Sequence, residues 1–293
     1  MKNSVEALRA AIERSGGSGT PKLTDEAFLG LRGLIADASG IVFDERSRFI
    51  LERRLAARLR ALRLETHEQY YRYLLFDDGR GEELARMLDQ VAVRETYFFR
   101  EPQQLDAFRR DLLPRLSEEN AASRRLRIWS AGCATGEEPY TIAMIVLESG
   151  LFEGWEVDIF GTDLSQVAVG QARRGLFRDG SMRALADETR ARYFAFEGPN
   201  AWRLDERVRR MVTFGTLNLV DTARYEVYAG ADVIFCRNVL IYFGAETRRM
   251  VVNRFYETLR EGGYLLLGHA ETLVSLNTPF KLLHLPSEMV YRR

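Results

Sequence analysis

The stretch Arg127-Ile128-Trp129-Ser130-Ala131-Gly132-Cys133-Ala134-Thr135-Gly136-Glu137-Glu138-Pro139-Tyr140-Thr141-Ile142-Ala143-Met144 writes an apolar strand, a glycine loop and the start of a helix. Glycines at both ends of the loop let backbone pass close to a ligand. A loop of this kind, alone, serves NAD, FAD, nucleotides and S-adenosylmethionine (SAM) alike. The two glutamates narrow the choice. At a helix N-terminus they would repel a pyrophosphate, but they suit a ligand that presents hydroxyls and an ammonium group there. SAM meets that description better than a dinucleotide.

Outward from the loop, further apolar runs end at Asp163, at Cys236 and near His269, each separated from the last by a helix-length interval. That rhythm predicts an α/β parallel sheet with crossover helices. Residues 280–285 and 289–291 read as a closing antiparallel hairpin. Between Gly175 and Leu217 the rhythm is broken by Arg- and Glu-rich text, which predicts a small inserted β-subdomain over about 176–215. Upstream, 23–93 reads as a helical domain. Thr24 caps a first helix that Gly40 stops, and further helices are expected over 45–64, 67–76 and 81–91. Residues 94–125 read as a linker and interdomain helix, and 126–293 as the α/β domain. Residues 1–22 end in Gly16-Gly17-Ser18-Gly19-Thr20-Pro21, the composition of a flexible tail.

Lys plus Arg and Asp plus Glu both number 42 in 293 residues, so the whole-chain field has no general pull towards nucleic acid or anionic membrane. No apolar run approaches the ~20 residues that span a bilayer. Cys133 and Cys236 both fall in apolar text, which argues for a reducing compartment and small buried thiols. The expectation is a cytoplasmic monomer that binds no nucleic acid and inserts in no membrane. His67, His269 and His284 are scattered; a satisfied structural role is expected for each, and no metal site.

The carboxyl edge of an open α/β sheet is where ligands bind. Asp163 stands there about 30 residues after the loop, where its carboxylate can accept ribose hydroxyls or cap the following helix. Asn218-Leu219 and Arg237-Asn238 also follow apolar strands. An asparagine there can read an adenine edge, hold an amino group or fix its own loop. Tyr242, expected one turn into a helix after Arg237-Asn238, can donate a hydrogen bond to a substrate or pack in the core.

Several motifs together resemble the chemotaxis receptor methyltransferase (CheR) family: Glu95-Thr96-Tyr97-Phe98-Phe99-Arg100, the loop through Tyr140, Gly161-Thr162-Asp163-Leu164-Ser165, Asn218-Leu219, and Phe235-Cys236-Arg237-Asn238-Val239-Leu240-Ile241-Tyr242-Phe243. The resemblance covers nearly everything from Leu23 onward. It implies an all-α N-terminal domain, a class I SAM methyltransferase (Rossmann-like) domain and an inserted β-subdomain. It also implies transfer of a methyl group from SAM to glutamate side chains on cytoplasmic chemoreceptor helices, leaving S-adenosylhomocysteine. By the same resemblance Thr96 and Arg100 touch SAM, Glu137 and Asp163 are its acidic contacts, and Asn218, Leu219, Arg237 and Asn238 wall the pocket. Arg94 stands where the family usually has Asn. Either Arg94 reaches the cofactor differently or this branch has moved away from the standard receptor enzyme; the alternative function is a catalytically weak SAM-binding partner module.

On the helix expected over 45–64, Leu51, Leu55, Leu59 and Leu62 share one face, while Arg46, Arg53 and Arg60 recur every seven residues on the other. Arg54, Arg58 and Arg63 widen the charge. A solvated helix would carry more acids, so a partner face is expected at Arg46, Arg53, Arg54 and Arg60, suited to acidic receptor helices. Some family members hold a receptor's C-terminal pentapeptide on the β-subdomain. The corresponding stretch here, 196–203, is short, and no such binding is expected.

Overall fold

The computed structural model describes residues 21–286 and 288–293. The expected tail therefore lies outside the described residues except for Pro21 and Lys22. The described residues form two compact units, one of residues 21–33 together with Phe43–Val91, the other of Leu34–Val42 and Ala92–Arg293.

The first unit is helical, as its sequence pattern predicts. Thr24 accepts from the Ala27 N–H at 3.3 Å and starts α1 (Asp25–Ser39), whose first turn carries Asp25 and Glu26. A 3₁₀ turn (Glu45–Ser47), capped by Asp44, precedes α2 (Arg48–Leu62). The expected single helix is thus broken ahead of Arg48, because Asp44 Oδ1 takes the Ser47 N–H at 2.9 Å. A capping box between Thr66 and Gln69 opens α3 (His67–Phe76), and α4 (Arg80–Val91) follows. Leu51, Leu55, Leu59, Tyr70, Met87 and Val91 are buried together with Phe28 and Leu31. One polar group is locked among them: Glu83 accepts two hydrogen bonds from Arg58, at 2.8 and 2.7 Å, and one from the Tyr70 hydroxyl at 2.9 Å. His67 departs from expectation. The capping box places it on the inner side of α3, buried, with neither ring nitrogen hydrogen-bonded among the described residues, and desolvation pushes its pKa down.

The second unit is built on a seven-stranded sheet. Its strands in chain order are β1 (Arg125–Ala131), β2 (Glu156–Asp163), β6 (Val212–Thr216), β7 (Ala231–Cys236), β8 (Leu259–Leu267), β9 (Lys281–His284) and β10 (Met289–Arg292), arranged β6-β2-β1-β7-β8-β10-β9. All pairings are parallel up to β8; β10 runs antiparallel to both β8 and β9, the expected closing hairpin. Every residue of β7 is buried, as a parallel strand covered on both faces requires. Side chains alternate between two cores: Ile128, Val233, Phe235 and Leu266 on one side, Trp129, Ile234, Cys236 and Leu265 on the other. Helices α5 (Pro102–Ala107) and α6 (Leu113–Glu119) flank a π-turn at Phe108–Leu112. Then come α7 (Glu137–Ser149), α8 (Gln166–Arg174), α9 (Asp187–Tyr193), α10 (Glu206–Arg210) and α11 (Ala245–Thr258).

The interruption in the α/β rhythm is a second, three-stranded antiparallel sheet, β3 (Leu176–Phe177), β5 (Ala201–Leu204) and β4 (Phe194–Gly198), in the order β3-β5-β4. It ends earlier than about 215, because Val212–Thr216 pairs with β2 and forms the edge of the large sheet. Phe98 is fully buried in edge-on contact with Phe177 and Phe194 at 4.7 and 5.0 Å, so it is core.

Candidate functional site

The loop between β1 and α7 is turned tightly under the sheet's carboxyl edge. Gly132 (φ +92°) and Gly136 (φ +96°) both lie in the left-handed region. A Cβ on Gly132 would stand 2.3 Å from Val239 Cγ2, so no other residue fits. The N–H groups of Gly132 and Cys133 both donate to the Thr162 carbonyl at 2.8 Å, which ties the loop to the end of β2. Above it opens a cleft of ≈270 Å³, lined by Gly132, Ala134, Asp163, Leu219, Asn238 and Tyr242 among others. A smaller recess of ≈30 Å³ shares Gly132, Arg100, Arg237 and Asn238 with it and adds Thr96 and Glu138.

Asp163 is where its position at the end of β2 predicts. Its carboxylate accepts from the Ala134 and Ser165 N–H groups, both at 2.8 Å, which fixes it at the cleft. Leu219 supplies a buried apolar wall. Asn218 lines the cleft, but its side chain is taken up by backbone, donating to the distant Ala38 carbonyl at 2.6 Å and accepting from the Val220 N–H of its own loop at 3.3 Å. Thr96 is in the recess and Arg100 in both cavities; Arg94 lines neither. Tyr242 lines the cleft from the end of a 3₁₀ turn, Leu240–Tyr242, not from a helix; α11 begins only at Ala245.

The two glutamates of the loop part company. Glu137 is 2% exposed and turned away, accepting from Thr135 and Ser181 hydroxyls at 2.7 Å each. Glu138 faces the recess, accepts from Ser130 Oγ at 2.7 Å and lies 3.5 Å from Arg237. Its carboxyl is pushed up by burial, against the opposing pull of the Arg237 charge. Arg237 also pairs with Glu101 at 3.3 Å and donates to the Arg100 carbonyl, yet its buried Nε has no partner among the described residues. An orphaned guanidinium N–H beside carboxylates fits a ligand that carries both a carboxylate and an ammonium group, and Asp163 fits one with adjacent hydroxyls. The residues present therefore suit SAM.

Sequence reasoning missed part of the wall. Ser39, Ile41, Ala92 and Val93 line the cleft, although they fall in the stretch read as helical domain. Gly40 (φ +74°) turns the chain so closely that a Cβ there would meet Thr247 Cγ2 at 2.5 Å, and Val42 N–H donates to the Tyr242 carbonyl at 2.9 Å. The signal was Gly40 itself, which the sequence presents as no more than a helix stop. Among the described residues no cluster of His, Cys, Asp or Glu could hold a metal ion, and no helix is long and apolar enough to cross a membrane.

A SAM-dependent methyltransferase of class I is what this sheet and its glycine-lined edge define, and residues 94–289 match the SAM-binding domain of CheR methyltransferases. Residues 26–92 match the all-alpha domain of the same proteins, so the chain belongs to the CheR methyltransferase family. Chemotaxis protein methyltransferase 2 of Vibrio cholerae is 33% identical over 259 residues, 88% of this chain and 89% of that one. The chemotaxis protein methyltransferase of Borreliella burgdorferi is 32% identical over 255 residues, 86% and 89% of the two chains. Among solved structures, magnesium protoporphyrin IX methyltransferase of Synechocystis with bound SAM aligns at 15% identity over 65% of this chain and 77% of its own, with a TM-score of 0.33.

Proposed function

We propose that this methyltransferase esterifies glutamate side chains on the cytoplasmic helices of chemoreceptors. The observation that carries the reading is the match over most of both chains to proteins named chemotaxis protein methyltransferases. The site chemistry is consistent with a carboxylate acceptor. A glutamate with an ordinary pKa of ~4.3 is already ionised near neutral pH and needs no general base. When bound, SAM supplies a methyl carbon made electrophilic by its sulfonium. The protein's task is then to align the acceptor and strip water from it. In this reading Asp163 takes the ribose hydroxyls, Glu138 the ammonium group, and Arg100 and Arg237 the cofactor's carboxylate. Leu219 packs on the adenine, Thr96 and Asn238 complete the recess, and the Tyr242 hydroxyl orients the acceptor.

The alternative, a SAM-binding partner module with weak catalysis, draws its support from Arg94, and Arg94 lines neither cavity. Only Pro199 and Asn200 separate β4 from β5, which favours an enzyme that binds no receptor tether. Incubation with methyl-labelled SAM and a receptor cytoplasmic fragment tests the proposal. Alkali-labile label on the fragment, lost when its acceptor glutamates are changed to alanine, is expected; SAM binding with no labile ester would favour the alternative.

A further inference from the structure

Glu271 has no role in the scheme above, yet its carboxylate is the most heavily used acceptor near the cleft. It lies in the loop after β8. Its Oε2 accepts from the N–H groups of Asn238 at 2.7 Å and Gly268 at 2.8 Å. Its Oε1 accepts from those of Val239 at 3.0 Å and Ile241 at 3.2 Å. No Lys or Arg lies within ion-pair distance of it among the described residues, so its charge is answered by backbone dipoles alone. Three of the four donors belong to the turn leaving β7, the turn that carries Asn238 and Tyr242 into the cleft.

The far end of that turn is held by its own bonds, Tyr242 N–H to the Val239 carbonyl and Phe243 N–H to the Leu240 carbonyl, both at 3.1 Å; its start, where the chain leaves β7, is held by Glu271. Asn238 is in the left-handed region (φ +59°), and the N–H groups of Asn238, Val239 and Ile241 all turn towards one carboxylate, an arrangement that calls for an anion. The loop after β8 brings the anion within reach only because Gly268 allows it. A Cβ on Gly268 would stand 2.7 Å from Asn238 Nδ2 and 2.9 Å from Glu271 Oε2. Two further contacts make the turn's position matter for the cofactor: Val239 closes over Gly132 of the β1 loop, and Asn238 Nδ2 donates to Glu101 at 3.2 Å.

We propose that Glu271 is a positioning residue for methyl transfer: as a built-in anion it fixes the turn after β7, and so sets where Asn238 and Tyr242 stand in the cleft. The inference rests on the SAM reading of that cleft. In Glu271→Gln the side chain keeps its shape, but its NH₂ faces two N–H donors, so half the bonding is lost and the turn is released. The variant should bind SAM about tenfold more weakly and turn over ~10–100-fold more slowly, the range expected when a reacting group is misplaced by about 1 Å. The melting temperature should fall by only a few degrees, as the loss of about two hydrogen bonds implies, and the losses in SAM affinity and kcat should persist far below it, a pattern that general destabilisation would not produce. Unchanged SAM affinity and kcat in Glu271→Gln would overturn the proposal. Should the variant fail to fold, hydrogen exchange on the wild-type protein decides. The Asn238, Val239 and Ile241 amides should exchange slowly although their surroundings are partly open, and fast exchange would overturn the assignment. SAM affinity and exchange need no receptor, so absence of receptor methylation counts against the proposed substrate and not against Glu271.

Discussion

Glu138 is held between burial, which raises its pKa, and Arg237, which lowers it; Ser130 and Arg100 act in the same sense as Arg237, and Glu101 opposes them. The sign of its pH effect follows. Only the ionised form can attract an ammonium group, and the upward shift brings protonation above the usual glutamate range. SAM affinity should therefore decline as pH falls from neutral into the mildly acid range, and recover as pH rises. Glu138→Gln should bind SAM about tenfold more weakly at neutral pH, since a hydrogen bond to a charged group is worth ~1.5–3 kcal/mol. It should also lose that acid decline. Calorimetric titration of both proteins across this range checks the point, and an identical decline in the variant would assign the titration to another carboxylate. The sequence displays two adjacent glutamates at a helix start, and a helix turns them about 100° apart. Which one meets the ligand depends on what packs on the helix, here Ser181 against Glu137, and that is tertiary information. The same holds for Asn218, whose amide is taken by Ala38 across 180 residues of chain.

Among the elements, α2, α3 and α4 are pinned by one carboxylate. Glu83 of α4 is 1% exposed, accepts both arms of Arg58 from α2, and takes the Tyr70 hydroxyl from α3. Removing it in Glu83→Ala leaves a guanidinium and a phenol without their acceptor, and breaking a buried pair from one side costs about 3–5 kcal/mol. Urea unfolding followed by circular dichroism should show a loss of that size; a loss under about 1 kcal/mol would mean that water replaces the carboxylate. Element types were legible from periodicity, caps and stops: His67–Phe76 is bounded by Thr66, a capping residue, and the large sheet's parallel strands announce themselves as apolar runs. The turn at Leu240–Tyr242 was not legible. Its apolar text suits a helix, but Phe243 takes up extended backbone and bridges to Ile41, which ends the turn after Tyr242. Leu34–Val42 was likewise assigned with the helices before it, although it packs with the sheet unit, because a contact made through a glycine leaves little trace in hydrophobic pattern.

For the whole molecule the charge balance is even, 42 basic against 42 acidic residues, so the proposed attraction to an acidic receptor helix must come from a local face. The seven-residue spacing of arginines was legible, but not which of them remain available. Arg58 is spent on Glu83, and Arg54 donates to the Val91 carbonyl, so Arg54 is a poorer partner residue than its spacing predicts. Arg46, on the 3₁₀ turn, and Arg53 and Arg60, on α2, are exposed, with no acid in ion-pair range among the described residues. Three exposed guanidiniums on one unit would, in the proposed reading, steer an acidic partner and fix its register more than they hold it. Exchanging all three for glutamate should raise KM for the receptor fragment about tenfold at low ionic strength, by removing attraction and adding repulsion. The gap should narrow as salt shortens the Debye length to ~8 Å at physiological strength and less beyond it. SAM affinity should stay at the wild-type value, because none of the three arginines lines either cavity, which separates docking from cofactor binding. A triple variant whose KM matches wild type at every salt concentration would remove this face from the account of receptor recognition.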